Sequence, residues 1–363
     1  MITSESILGV ETDVLHLHGP VKSNRNKLHK GLCIFFIAGN PGTLHFYKGF
    51  CERLLIEALT SHKFADYGSI SCHGVGHANH HLEGSSASST RKSLTEESEC
   101  YNLEFQVQHK LSFVSVTLDD LALCNNGESI ETDVMMIGHS IGAYIALDIL
   151  ARNQQLMWQT KSVILLMPFI SWSHLPYLHR AKLTSYVRLL PLSRNLITSL
   201  ASPLVRMGSP MRKILLCRLT GMEGDIVDMI SDALINKRLL NNFLEMGGDE
   251  IRDVKKNEKR MLKILDEMDD RFAADEKEIL FIYTDDDDWA PESDALMLQK
   301  RLPQSTTVVI ERGLTHGFSL TDSRINRTCS IITDNLKFAN LKKSTISRKL
   351  EYPPTTLRRI SKL

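Results

Sequence analysis

An α/β fold with a mostly parallel central sheet and one large helical insertion is what this sequence predicts, and three observations carry the prediction. Short apolar runs of strand length recur at 32–37, 134–137, 163–167, 279–283 and 308–311, and read as buried parallel strands. Helical patterns separate several of them, and strands alternating with helices build parallel sheets through right-handed crossovers. Between the third and fourth runs lies the long stretch 171–277, far more chain than a simple crossover needs.

Taken in chain order, residues 13–18 offer a leading edge strand, and 32–37 opens the core of the sheet. That run leads into Ala38-Gly39-Asn40-Pro41-Gly42, whose residue types make a tight turn. Residues 67–72 supply a further strand near the site. The segment 73–104 is rich in His, Ser, Gly, Thr and charge, lacks apolar periodicity, and reads as a long surface loop. Run 134–137 enters the turn Gly138-His139-Ser140-Ile141-Gly142, after which apolar residues at helical spacing continue to Leu150. The expected organisation is a core of 1–170 and 278–340, a helical cap of 171–277 over the carboxyl edge of the sheet, and a basic tail of 341–363.

Composition narrows the function classes. The chain has 363 residues, 42% of them apolar, enough for one large α/β domain with an insertion. Lys+Arg and Asp+Glu are both 43, so no global field favours nucleic acid. Seven cysteines, scattered without a CxxC pair, suit free thiols in a reducing compartment. The amino terminus lacks a basic start followed by an apolar core, so no secretory signal is expected, nor is a spanning helix.

Charge is segregated within the insertion. From 170 to 222 there is no Asp or Glu, whereas Arg180, Lys182, Arg188, Arg194, Arg206, Arg212, Lys213 and Arg218 are basic and interleaved with apolar residues. Short amphipathic helices with a basic rim suit a lipid surface, so 175–219 is expected to bind one.

The turn at 138–142 carries the chemistry. In a Gly-X-Ser-X-Gly elbow between strand and helix, the small residues let the chain turn sharply and lift the serine hydroxyl clear of the sheet. Ser140 is therefore the expected nucleophile, with Gly138 and Gly142 as the elbow glycines. A serine needs a base, and the base needs a carboxylate to set its tautomer. Run 279–283 leads into Asp285-Asp286-Asp287-Asp288, and run 308–311 leads towards His316-Gly317-Phe318. Both follow strands in the order serine, acid, histidine. His316 is the expected base and Asp287 the expected acid, with Asp286 and Asp288 as competitors, because four adjacent carboxylates cannot all point inward. Asp133 lies at the wrong end of its strand. For the oxyanion hole, the amides of Ile141 and Asn40 are the expected donors.

Two other signals are weaker. His73, His77, His80 and His81 are close in sequence, but their spacing fits no standard zinc site, and Gly39 to Gly42 lacks the Lys-Ser/Thr ending of a phosphate-binding loop. No metal and no cofactor are expected.

Gly39-Asn40-Pro41-Gly42 with Phe46-Tyr47, the Gly-His-Ser-Ile-Gly elbow, Gly76-His77, Asp287-X-Trp289-X-Pro291 and His316-Gly317-Phe318 together resemble the lipid droplet-associated hydrolase family over about residues 30–320. The resemblance implies an α/β-hydrolase fold, the triad Ser140, Asp287 and His316, a lipid ester as substrate, and attachment to lipid droplets and the endoplasmic reticulum through the insertion. Asp288, where a small residue is expected, and the His-rich loop depart from the family pattern. Alternatives are a droplet-organising protein with little hydrolase activity and a soluble small-ester hydrolase.

Overall fold

The computed structural model describes residues 1–21, 30–80, 101–123, 131–185, 207–220, 227, 231, 237–285 and 287–337. Outside these lie residues 81–100 of the expected loop, 186–206 of the basic apolar stretch, Asp286, and the tail from 338.

Eight strands form one sheet: β1 (Ile2–Ile7), β2 (Val10–His18), β3 (Lys30–Ile37), β4 (Ser69–Val75), β5 (Glu131–His139), β6 (Thr160–Leu166), β7 (Glu278–Thr284) and β8 (Thr306–Glu311). Their spatial order is β1-β2-β4-β3-β5-β6-β7-β8. β2 runs antiparallel to both neighbours, and every other pairing from β4 to β8 is parallel. The chain crosses from β3 back to β4 in one direction and from β5 on to β6 in the other. With right-handed crossovers, the helices Lys48–Thr60 and Ile141–Arg152 must then cover opposite faces. The order reverses at the carboxyl ends of β3 and β5, which are adjacent in register through Ile37 and Gly138, and in open α/β sheets ligands bind at such a switch point.

All five apolar runs fall on strands, and in the four interior strands β3, β5, β6 and β7 burial explains why they could be read, whereas β8 at the edge is only partly buried. Val134, Met135, Met136 and Ile137 are fully buried, as are Phe35, Phe36 and Ile37 beside them. Each such side chain stabilises the sheet by about 2 kcal/mol. The strands outrun the apolar runs because ladder hydrogen bonds continue through polar residues such as Glu131 and Thr132. Conversely, Met167 lies beyond β6 at a φ of 40°, where the chain leaves the sheet.

Three expectations need correction. The leading edge strand is not 13–18, which lies in β2 between two partners, but β1, which carries only Ile2 and Ile7 as apolar residues and gave no periodic signal, because an edge strand needs just one neighbour. The strand near the site is 69–75 rather than 67–72, so His73 stands in β4 and not in a loop. His77 and His80 are also buried, and the helix Leu103–Leu123 begins inside the expected loop with Leu103 in the core. Polar composition misled here because the imidazoles are covered by neighbouring elements rather than by water.

Within the insertion, residues 177–185 and Ser209–Thr220 are helical, and a 38-residue helix, Lys237–Ala274, closes it. At 1.5 Å per residue that helix is about 57 Å long. Ile251, Val254, Met261, Leu265, Met268 and Phe272 are buried at helical spacing and form its inner stripe.

Candidate active site

The elbow is built by close packing. Ser140 has φ 54° and ψ −123°, a conformation that costs a residue with a side chain about 1–3 kcal/mol and persists only when its surroundings enforce it. They do so through three hydrogen bonds: the Ser140 amide donates to Leu166 O at 2.9 Å, and Ser140 O accepts from Ala143 at 3.0 Å and Phe169 at 3.2 Å. A Cβ on Gly138 would stand 2.5 Å from Gly142 O, and one on Gly142 would stand 2.4 Å from Ile37 O. Those partners are backbone atoms that cannot step aside, so only glycine fits at either position.

At the tip of this turn, Ser140 Oγ lies 3.0 Å from His316 Nε2, and His316 Nδ1 lies 2.7 Å from Asp287 Oδ2. A carboxylate only accepts, so His316 carries its proton on Nδ1 and presents a bare Nε2 to the serine hydroxyl. The Asp287 side chain is fully buried, and its other oxygen accepts from the amides of Trp289 at 2.8 Å and Ala290 at 3.1 Å. Trp289 is itself fixed edge-on against Phe169. Thr284 Oγ1 donates to Leu314 O at 2.6 Å and ties the loop of Asp287 to the loop of His316.

The remaining aspartates point elsewhere. Asp288 is exposed and receives Lys182 Nζ at 2.9 Å and His179 Nε2 at 3.2 Å from the cap. Asp285 accepts from Thr284 Oγ1 at 3.3 Å, and Asp286 lies outside the described residues. Asp133 sits at the far end of β5, paired with Lys30 and bonded by Tyr67.

The turn after β3 passes directly against the elbow, for a Cβ on Gly39 would stand 2.9 Å from Ser140 Cβ. This sets Gly39, the residue before Asn40, against Ser140. The Asn40 side chain is held by the cap, donating through Nδ2 to Phe243 O at 3.0 Å, while Asn242 Nδ2 donates to Asn79 O at 2.8 Å. Glu250 is buried next to Asn40, and burial pushes its carboxyl well above the usual range. His80 Nδ1 donates to Pro41 O at 2.5 Å, and His77 fills the space beside Gly42. These histidines support the turn. Among the described residues no three His, Cys, Asp or Glu side chains are grouped to hold a metal ion, and His81 is not described.

Two carboxylates anchor the start of the cap. Glu258 Oε1 accepts from the amides of Trp172 and Ser173 and from Ser173 Oγ, all at 2.8 Å. Asp294 is buried, accepts from Ser171 Oγ and from Tyr283 Oη at 3.0 Å, and is raised to about 6 chiefly by burial. Because the folded-state value lies above the ordinary 3.8, the folded protein holds this proton more tightly than the unfolded chain. Its contribution is therefore fully present below about pH 4 and is lost as pH rises through 6. Asp294→Asn removes that dependence, and the stability difference between variant and parent should shift by about 2 kcal/mol in favour of the variant from pH 4 to pH 7. Urea titrations at the two pH values measure it.

Two surface cavities, of about 300 Å³ beside His16 and His73 and about 790 Å³ around Lys30 and Asp133, lie away from Ser140. Hydrogen-bond geometry, not cavity size, marks the site.

The reversal of strand order with a serine elbow at the switch point, completed by an imidazole and a carboxylate from later loops, defines an α/β hydrolase. Solved structures share the fold. A peroxisomal α/β-hydrolase from Saccharomyces cerevisiae aligns over 97% of this chain and 91% of its own with a TM-score of 0.56 at 16% identity. A soluble variant of monoglyceride lipase from the same yeast aligns over 92% and 94% with a TM-score of 0.51 at 14% identity. The chain belongs to the lipid-droplet associated hydrolase family, whose sequence profile matches residues 30–319. Lipid droplet-associated hydrolases from Homo sapiens and Gallus gallus are 24% and 26% identical to it. The alignments cover 85% of this chain and 87% of the human protein, and 91% and 92% for the chicken protein.

Two residues at the site were present in the recognised motifs without a role: Tyr47 and His139. The long closing helix of the cap was equally unmarked, although its inner stripe has a clear helical period.

Proposed function

We propose that this hydrolase cleaves an ester of a hydrophobic lipid, of sterol ester or acylglycerol type, at the surface of a lipid droplet or of the endoplasmic reticulum membrane. The observation that carries the reading is the unbroken line from Ser140 Oγ through His316 to Asp287. Ser140 Oγ attacks the ester carbonyl as its proton passes to His316 Nε2, and the resulting oxyanion is met by the Asn40 and Ile141 amides. The intermediate collapses, the C–O bond to the alcohol breaks, and His316 returns the proton to the departing alkoxide. Water, deprotonated by His316, then releases the acid from the acyl-enzyme and restores Ser140.

Lipid contact is supported by the described part of the cap, where Tyr177, Leu178, Met211 and Ile214 are each more than half exposed beside Lys182 and Lys213. Arg212 is an exception to the basic rim, being buried with Nε donating to Ser231 Oγ at 2.6 Å. None of the described helices is long and apolar enough to cross a membrane. We read residence at the surface as peripheral on the strength of those exposed apolar side chains.

A fluorophosphonate should label the purified protein once, at Ser140, and a panel of lipid esters should then show turnover. A folded protein that neither labels nor turns over any ester would favour a droplet-organising role without catalysis. Replacing Tyr177, Leu178, Met211 and Ile214 together by Ser should cut co-flotation with artificial droplets by about tenfold or more, from the apolar area withdrawn. Unchanged flotation would remove these residues from the account.

A further inference from the structure

We propose that Tyr47 and His139 are positioning residues: a buried phenol-imidazole relay that holds the backbone of His316, and with it the general base, against Ser140. The proposal rests on the reading of Ser140 and His316 given above and adds two residues to it.

His139 Nε2 lies 3.0 Å from the carbonyl oxygen of His316, and Tyr47 Oη lies 2.9 Å from His139 Nδ1. A carbonyl cannot donate, so Nε2 must carry the proton and donate it to His316 O. In a neutral ring that leaves Nδ1 as an acceptor, and the phenol is then the donor to it. Every proton in the relay is fixed by the carbonyl at its end. His139 stays neutral, because burial and the neighbouring His316 hold it well below the usual histidine range. That neutrality matters: the His139 and His316 ring centroids are 4.9 Å apart, and a charged His139 would oppose the imidazolium that His316 becomes.

The relay is dry and rigid. Tyr47 and His139 are each only 3% exposed. Phe318 stands edge-on to His139, Phe36 lies tilted against Tyr47, and Phe50 stands edge-on to both Phe36 and Phe318. In such surroundings a hydrogen bond is strong and a broken one has no water to replace it. The Gly39 amide also reaches the Tyr47 oxygen, so one phenol joins the turn after β3, the elbow after β5 and the base loop after β8. Asp287 fixes the His316 ring, and the relay fixes the backbone from which that ring projects. Small displacements of a base can cost as much as a hundredfold in rate, which is the scale on which such an anchor acts.

The test uses the full-length protein and an alkyl fluorophosphonate, following the inactivation rate constant and the half-saturating concentration separately. Tyr47→Phe should lower the rate constant about tenfold and His139→Leu up to about a hundredfold, with half-saturation unchanged. His139→Gln should recover to within about threefold of the parent, since one amide group supplies both an N–H for His316 O and an oxygen for the Tyr47 hydroxyl. Thermal melts establish that each variant is folded. Normal labelling rates in folded Tyr47→Phe and His139→Leu would overturn the relay, as would a Gln variant no better than Leu, which would make the role one of packing. A parent protein that does not label at all would overturn the hydrolytic reading instead. Nitrogen-15 spectra of the histidines read the relay independently of labelling, and a His139 protonated at Nδ1 in the neutral form would refute it.

Discussion

Ser140→Ala is expected to lower turnover of any ester substrate by about 10⁵–10⁶-fold while the protein remains folded. Without its hydroxyl, the elbow retains the amides of Asn40 and Ile141 and the bound base, but has no nucleophile to form the acyl-enzyme. His316→Ala should cost nearly as much, because a serine with no acceptor for its proton is scarcely more reactive than solvent. Removing both should be little worse than removing either, since members of one catalytic unit are strongly non-additive. Initial rates on a short-chain lipid ester, normalised to the concentration of folded protein, measure all three. If Ser140→Ala kept a tenth of the parent rate, the nucleophile would lie elsewhere.

The second large effect distinguishes neighbouring aspartates. Asp287→Asn should lower the rate constant about 10⁴-fold with an intact fold, because an amide that donates to His316 Nδ1 selects the wrong tautomer and leaves Nε2 protonated against Ser140. Asp288→Asn should change it less than about threefold. Its carboxylate is 53% exposed on the side chain and faces Lys182 and His179 of the cap, so any loss there belongs to cap placement and a weak surface ion pair. Reversed magnitudes would assign Asp288 as the acid and contradict the hydrogen bonds at Asp287.

How much of this was legible varies with the physics behind each element. The interior strands were, because residues such as Val134 to Ile137 are buried on both faces and so form unbroken apolar runs. The elbow was legible for a different reason: Gly138 and Gly142 sit where backbone atoms leave no room for a Cβ, and that constraint appears directly as residue type. β1 was not, since an edge strand paired on one side needs little apolar surface. Nor was the burial of His73, His77 and His80, because polar composition alone cannot reveal that another part of the chain covers a side chain. The basic run in the insertion could be read as a whole, but the inward turn of Arg212 to Ser231 depends on helix packing.

The sequence by itself determined that the chain is a hydrolase. A serine between two glycines after an apolar strand, followed by acidic and histidine loops in order, is a local pattern, and each part is specified by its immediate neighbours. Only the tertiary structure separated Asp287 from Asp288, since adjacent residues of one type differ solely in where the chain points them: Asp287 to His316, Asp288 to Lys182. It alone also brought Tyr47 and His139, 92 residues apart, to the carbonyl of His316. Their partnership comes from the reversal of strand order that sets β3 beside β5, which no short stretch of sequence contains.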